Sequence, residues 1–177
     1  GKLSKQIEKY DSDKKVELNE TLPSYDEIKR YTNNLLNDDK HREYIINYLL
    51  LNYGVRNLDC DVLITTDKSV TLKRNTLKEN YFYVTPRYII YQRNRYKTAD
   101  VYGRKTYKVI NLSFRNSVSI LLANRKECRL LFDDDTYNDK QIGNLVQKST
   151  YNNIGEGSMF KILIKHYNNF SNIEMVR

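Results

Sequence analysis

Leu50-Leu51-Asn52-Tyr53-Gly54-Val55-Arg56-Asn57-Leu58-Asp59 is the stretch on which the fold reading turns. An apolar run stops at Gly54, a residue that adopts left-handed dihedrals without strain and so closes helices. An arginine follows two positions later, and an aspartate three after that. Upstream, Asp38-Asp39 opens the helix that Gly54 ends, with Tyr44, Ile45, Tyr48, Leu49 and Leu51 among its buried positions. Before it, Leu22-Pro23 introduces Ser24-Tyr25-Asp26-Glu27, a capping box in which the serine accepts from an unpaired backbone N–H while the glutamate reaches back. That helix is expected to run to about Asn37. Residues 1–21 are charged and poor in apolar periodicity, and read as a flexible arm or linker. Residues 22–177 read as one domain, long enough to bury a core.

Downstream the pattern changes period. Tyr81-Phe82-Tyr83-Val84 and Tyr88-Ile89-Ile90-Tyr91-Gln92 are rich in β-formers, and Lys105 to Leu112 alternates polar with apolar. The expectation is a small antiparallel three-stranded sheet, with Pro86 breaking the first run and a hairpin between the last two strands carrying Lys97. Helices return at Asn116 to Ala123, at roughly Asp135 to Lys148 with Ile142, Leu145 and Val146 on one face, and at Ser158 to Asn168. A last capping box, Ser171-Asn172-Ile173-Glu174, starts another. The fold class is α+β, mainly helical.

The formal charge of +8 and a pI near 9.3 favour a polyanionic partner, without choosing between nucleic acid and an acidic membrane. Sixteen tyrosines and no tryptophan suit a surface that meets phosphates and sugars, although the wealth of Asn, Lys, Tyr and Ile also follows from AT-rich codons. Such usage suits a virus or mobile element. Cys60 and Cys128 are too few for a disulfide framework and lack zinc-type spacing, which points to a reducing, intracellular compartment, nuclear or cytoplasmic. No metal site is expected. No apolar run is long enough to span a bilayer, and Gly1-Lys2-Leu3-Ser4-Lys5 does not read as a signal peptide.

Gly54-Val55-Arg56-Asn57-Leu58-Asp59, followed by Asn94-Arg95-Tyr96-Lys97-Thr98 ahead of a strand, resembles the first arginine box and hairpin lysine of the tyrosine recombinase (phage-type integrase) catalytic domain. The resemblance runs from about Leu22 to Arg177. It implies DNA cleavage and rejoining through a 3′-phosphotyrosine, with no cofactor. Arg56, Lys97 and Lys161 would hold the scissile phosphate, and Asp59, standing where the family has glutamate, would orient Arg56. Arginine suits this work because its planar fork donates two parallel bonds to phosphate and never deprotonates. Arg95, Arg104, Lys105 and Lys165 would add DNA contacts. The resemblance further implies double-stranded DNA as partner and a tetramer on paired sites when full length.

The chain departs from the family pattern at Ser158-Met159-Phe160-Lys161, where the His-x-x-Arg box belongs: serine replaces histidine and lysine replaces the second arginine. The family's nucleophilic tyrosine is expected beyond Arg177. The alternative is a recombinase-like fold that has lost catalysis and binds DNA as an architectural or regulatory protein. Other patterns fail more plainly. Ser158-x-x-Lys161 lacks the partner motifs of a serine acylase. Gly155-x-Gly157 lacks the third glycine of a dinucleotide site. Asp133-Asp134-Asp135 reads as a solvated loop capping the next helix, with a divalent-ion site as the alternative. His166 shares a face with Met159 and reads as a core histidine rather than a general acid.

Overall fold

The computed structural model describes residues 22–134 and 136–168. The arm at 1–21 and the capping box at Ser171 lie outside the described residues. Ser24 accepts from the Glu27 N–H at 3.2 Å and the Glu27 carboxylate returns to the Ser24 N–H at 3.0 Å, starting α1 (Tyr25–Asn37). Its buried residues Ile28, Thr32 and Leu35 recur at helical spacing and face α2 (His41–Tyr53). Helix α2 is apolar on most sides, with Ile45, Ile46 and Leu49 fully buried. A helix without a polar face belongs in the interior, and α2 packs between α1 and α5 (Leu112–Leu122). Gly54 closes it at φ 57°.

The sheet is larger than the expected antiparallel trio. Five strands run in the order β4-β3-β2-β1-β5. The trio β2 (Tyr81–Val84), β3 (Ile89–Arg93) and β4 (Lys105–Val109) is antiparallel. The addition is β1 (Leu63–Thr65), parallel to β2, with β5 (Glu127–Arg129) antiparallel on its other side. Parallel neighbours need a crossover, here containing α3 (Lys68–Thr76), which the Asp67 carboxylate caps by accepting from the Ser69 N–H at 2.9 Å. These short pieces carry too little periodicity to stand out in the sequence. Between β3 and β4 the chain makes a short helix, α4 (Ala99–Tyr102), rather than a tight hairpin.

Three helix starts also shift, two of them for a visible capping reason. Asn111 accepts from the Phe114 N–H at 2.9 Å, so α5 begins at Leu112. Asn138 and Gln141 form a reciprocal capping box for α6 (Asp139–Lys148), so the cap is not the aspartate run. The Asp134 carboxylate is turned onto the Thr136 N–H and hydroxyl instead. Helix α7 (Glu156–Asn168) begins two residues before Ser158.

Aromatic rings join helices to sheet. Phe114 of α5 lies 4.6 Å from the Tyr48 ring of α2 and 5.5 Å from Phe82 of β2, and Phe82 meets Tyr91 edge-on at 5.3 Å. Phe82, Tyr91 and Phe114 are fully buried, and a buried ring of this size contributes about 1.5–3 kcal/mol by area alone. Part of the tyrosine excess is therefore core. No described helix is long and apolar enough to cross a membrane.

Candidate functional site

The turn after α2 is built around one carboxylate. Arg56 is extended, and residues Asn57–Cys60 form a 3₁₀ turn. Asp59 folds back so that one oxygen accepts both the Arg56 backbone N–H at 3.0 Å and Nη2 of Arg93, on β3, at 2.8 Å. Asp59 and Arg93 are almost wholly buried. Burial pushes the Asp59 carboxyl above its ordinary range, against the opposing pull of Arg93 and the Arg56 N–H. The Arg93 guanidinium also lies 4.5 Å from the Tyr96 ring centroid. Asp59 therefore fixes the main chain at Arg56 and ties it to the sheet. The Arg56 guanidinium is held by a different acid: Glu156, at the first turn of α7, places Oε2 3.6 Å from its Nη1. The other Glu156 oxygen accepts the Asn57 N–H at 2.8 Å.

The segment carrying Lys97 is clamped by amides. Asn80 accepts from the backbone N–H groups of both Asn94 and Arg95 at 2.8 Å, and donates to the Arg95 carbonyl at 2.8 Å. Asn94 donates to Asn75 at 2.9 Å and to the Glu79 carbonyl at 2.8 Å, while accepting from Gln92 at 2.9 Å. Gln92 in turn accepts from Thr106 of β4 at 2.6 Å. Buried polar networks of this kind stabilise only when their members are satisfied, and then they hold one geometry. The backbone before Lys97 is thus fixed, while the side chains of Arg95 and Lys97 reach outward and are exposed.

These two constructions open onto one cavity of about 570 Å³. Arg56, Asp59, Arg95 and Lys97 all line it. So do Arg74, Arg129, Asp61, Glu79, Asp139 and Glu156. Its lining has five cations and five acids, one of which, Asp59, is already matched by the buried Arg93 behind the wall. Several of its arginines have internal partners. Arg74 is paired with Glu79, and Arg129 donates to the Tyr137 hydroxyl at 3.1 Å, which donates to Asp61 at 2.7 Å. Arg95 and Lys97 enter no ion pair among the described residues.

The other sequence candidates lie elsewhere. Lys161 and Lys165, both exposed, line a second groove of about 670 Å³ beside Leu22 and Tyr25. The residue of α7 that enters the Arg56 cavity is Glu156; Lys161, five positions on, is turned to another side of the helix. Arg104 is exposed beyond α4, and the Lys105 ammonium lies 5.7 Å from the Tyr96 ring centroid; neither lines the cavity. His166 is half-buried and stacks on Tyr25 with centroids 3.6 Å apart, outside the main core.

Among the described residues, no group of three or more His, Cys, Asp or Glu side chains is placed to hold a metal ion. Burial pushes the Cys60 and Cys128 thiols up, away from the thiolate that would react. No protein-family model, curated protein or solved structure matches this chain. Residues that sequence reasoning passed over include Glu156, Arg93 and Asn80. Glu156 stands in Gly155-Glu156-Gly157, where the glycines drew attention instead. Nothing local pairs Arg93 with Asp59, 34 positions away.

Proposed function

We propose that the Arg56–Lys97 cavity grips a backbone phosphate of DNA, and that this domain is a tyrosine-recombinase-like DNA-binding module. One observation carries the reading. Arg56, at the turn closing α2, and Lys97, 41 positions on in the β3–β4 connection, line the same cavity, each on a braced backbone. A guanidinium and an ammonium together suit a phosphodiester: the first supplies a planar fork, the second a compact charge. Arg95 beside them adds a contact along the strand.

A non-cleaving module fits this cavity better than a complete strand-transfer centre. Lys161 lines the other groove and does not join Arg56 and Lys97 in this cavity. Tyr96 is the tyrosine lining the cavity, and its hydroxyl is committed to the Gly103 carbonyl at 2.5 Å. Burial raises its pKa further from that of a ready nucleophile. Cleavage would need a tyrosine other than Tyr96.

The test is binding to labelled duplex and four-way junction across a salt series, with wild type and an Arg56→Ala/Lys97→Ala pair. Phosphate contacts release counterions, so affinity should fall steeply with salt, by a log–log slope of roughly −0.9 per phosphate neutralised. The double variant should bind at least tenfold more weakly, with a shallower slope. Binding that ignores both changes would remove the cavity from the DNA path.

A further inference from the structure

The Arg56 guanidinium already holds an anion. Glu156 sets one oxygen 3.6 Å from Nη1 and the other 2.8 Å from the Asn57 nitrogen, as one oxygen pair of a phosphate would bridge the same two donors. The contact with arginine is incomplete. At 3.6 Å it is longer than a charge-assisted hydrogen bond, and the buried Nε of Arg56 has no hydrogen-bond partner. Both side chains keep contact with water, at 27% and 32% exposure, so the carboxylate can leave toward solvent without crossing the core. A phosphate that takes the Arg56 position must therefore displace this acid, whereas Arg95 and Lys97 in the same cavity carry no ion pair among the described residues.

We propose that Glu156 is a built-in phosphate mimic, an acidic latch that occupies the anion position on Arg56 and Asn57 and is displaced when a DNA phosphate binds. The inference rests on the phosphate-binding reading above and adds its regulation. The latch lowers affinity for DNA of any sequence, because a phosphate that reaches Arg56 first has to break the Arg56–Glu156 and Asn57–Glu156 contacts. It also sets where tuning acts. Whatever moves the first turn of α7 away from the α2 turn unmasks Arg56, and α7 carries the second groove on another of its sides.

Fluorescence anisotropy with a labelled duplex decides it, using Glu156→Gln, Arg56→Ala and the double variant, with thermal melting of each. Glutamine keeps an oxygen for the Asn57 N–H and removes the charge. Glu156→Gln should bind roughly three- to tenfold more tightly than wild type, from loss of a competing ion pair. Adding Arg56→Ala should abolish that gain. Unchanged or weaker binding by Glu156→Gln, with Arg56→Ala still impaired, would overturn the latch and leave the phosphate site standing. A gain that persists without Arg56 would reduce the effect to bulk charge and also overturn it. Indifference of binding to every variant would sink the phosphate-site reading itself. Loss of the folded state in both Glu156→Gln and Glu156→Asp would make Glu156 a structural brace instead of a latch.

Discussion

Asp59–Arg93 and Arg56–Glu156 are two ion pairs built on the same turn, one 2.8 Å long and sealed from water, the other 3.6 Å long and partly open. The sealed pair joins the end of α2 to β3 and leaves neither charge room to exchange partners. The open pair joins two element ends across a cavity, and its carboxylate can be replaced by another anion. The contrast teaches that acidity beside an arginine is not one signal. Desolvation makes the first pair a structural commitment, because removing one partner strands a buried charge. Solvent makes the second worth little to stability, which leaves it available for function.

The largest effect should therefore come from the sealed pair. Asp59→Ala is expected to cost about 3–5 kcal/mol in denaturant unfolding, whereas Glu156→Gln should cost under about 1 kcal/mol. Equal losses would erase the distinction between the pairs. Next is Asn80→Ala, which leaves the Asn94 and Arg95 N–H groups without their acceptor. A cost of about 2–3 kcal/mol is expected, with weaker DNA binding as the Lys97 segment loosens. DNA binding untouched by this change would detach Lys97 from the interface.

Arg56→Ala should lower DNA affinity about tenfold while shifting stability by less than about 1 kcal/mol, since its pairing is the open one. Alkaline unfolding sharpens the same contrast of sealed against open. Burial pushes the phenols of Tyr44, Tyr48 and Tyr91 above their ordinary value of 10.0. A raised folded pKa gives stability that is fully present below the unfolded value and lost as pH rises through the folded one. Stability should hold up to about pH 10 and then fall, with these phenols ionising as the chain unfolds; a smooth, reversible titration of all tyrosines in the folded state would contradict that. The smallest effect belongs to the far side of α7. Lys161→Ala should change stability by less than about 0.5 kcal/mol and DNA affinity less than twofold. A loss matching that of Arg56→Ala would return Lys161 to the phosphate site.

Much of this is visible in particular residues before any packing is known. The capping box at Ser24, the stop at Gly54 and the β-rich runs at Tyr81 and Tyr88 are decided by neighbours within four positions; the first three appear where the sequence puts them and the last starts one residue later, at Ile89. The short strand at Leu63 and its partner at Glu127 are different. Three residues carry too little pattern, and each is a strand only because the other lies beside it. The site divides in the same way. Arg56 and Lys97 stand out because each follows a local punctuation, a glycine-closed helix in one case and a strand end in the other. Lys161 lies on another groove than Arg56 and Lys97, because spacing along a chain does not fix which side of a helix faces a cavity.

The sequence by itself determined the capped start at Ser24, the stop at Gly54, the strand segments of β2, β3 and β4 and two basic residues on turns, because backbone sterics and capping act over a few residues. The tertiary structure alone decided which acids Arg93 and Arg56 hold. Asp59 reaches Arg93 across 34 positions, and Glu156 reaches the Asn57 N–H across 99. Charge pairing depends on distance and on exclusion of water, and neither exists for residues so far apart until the elements between them have packed.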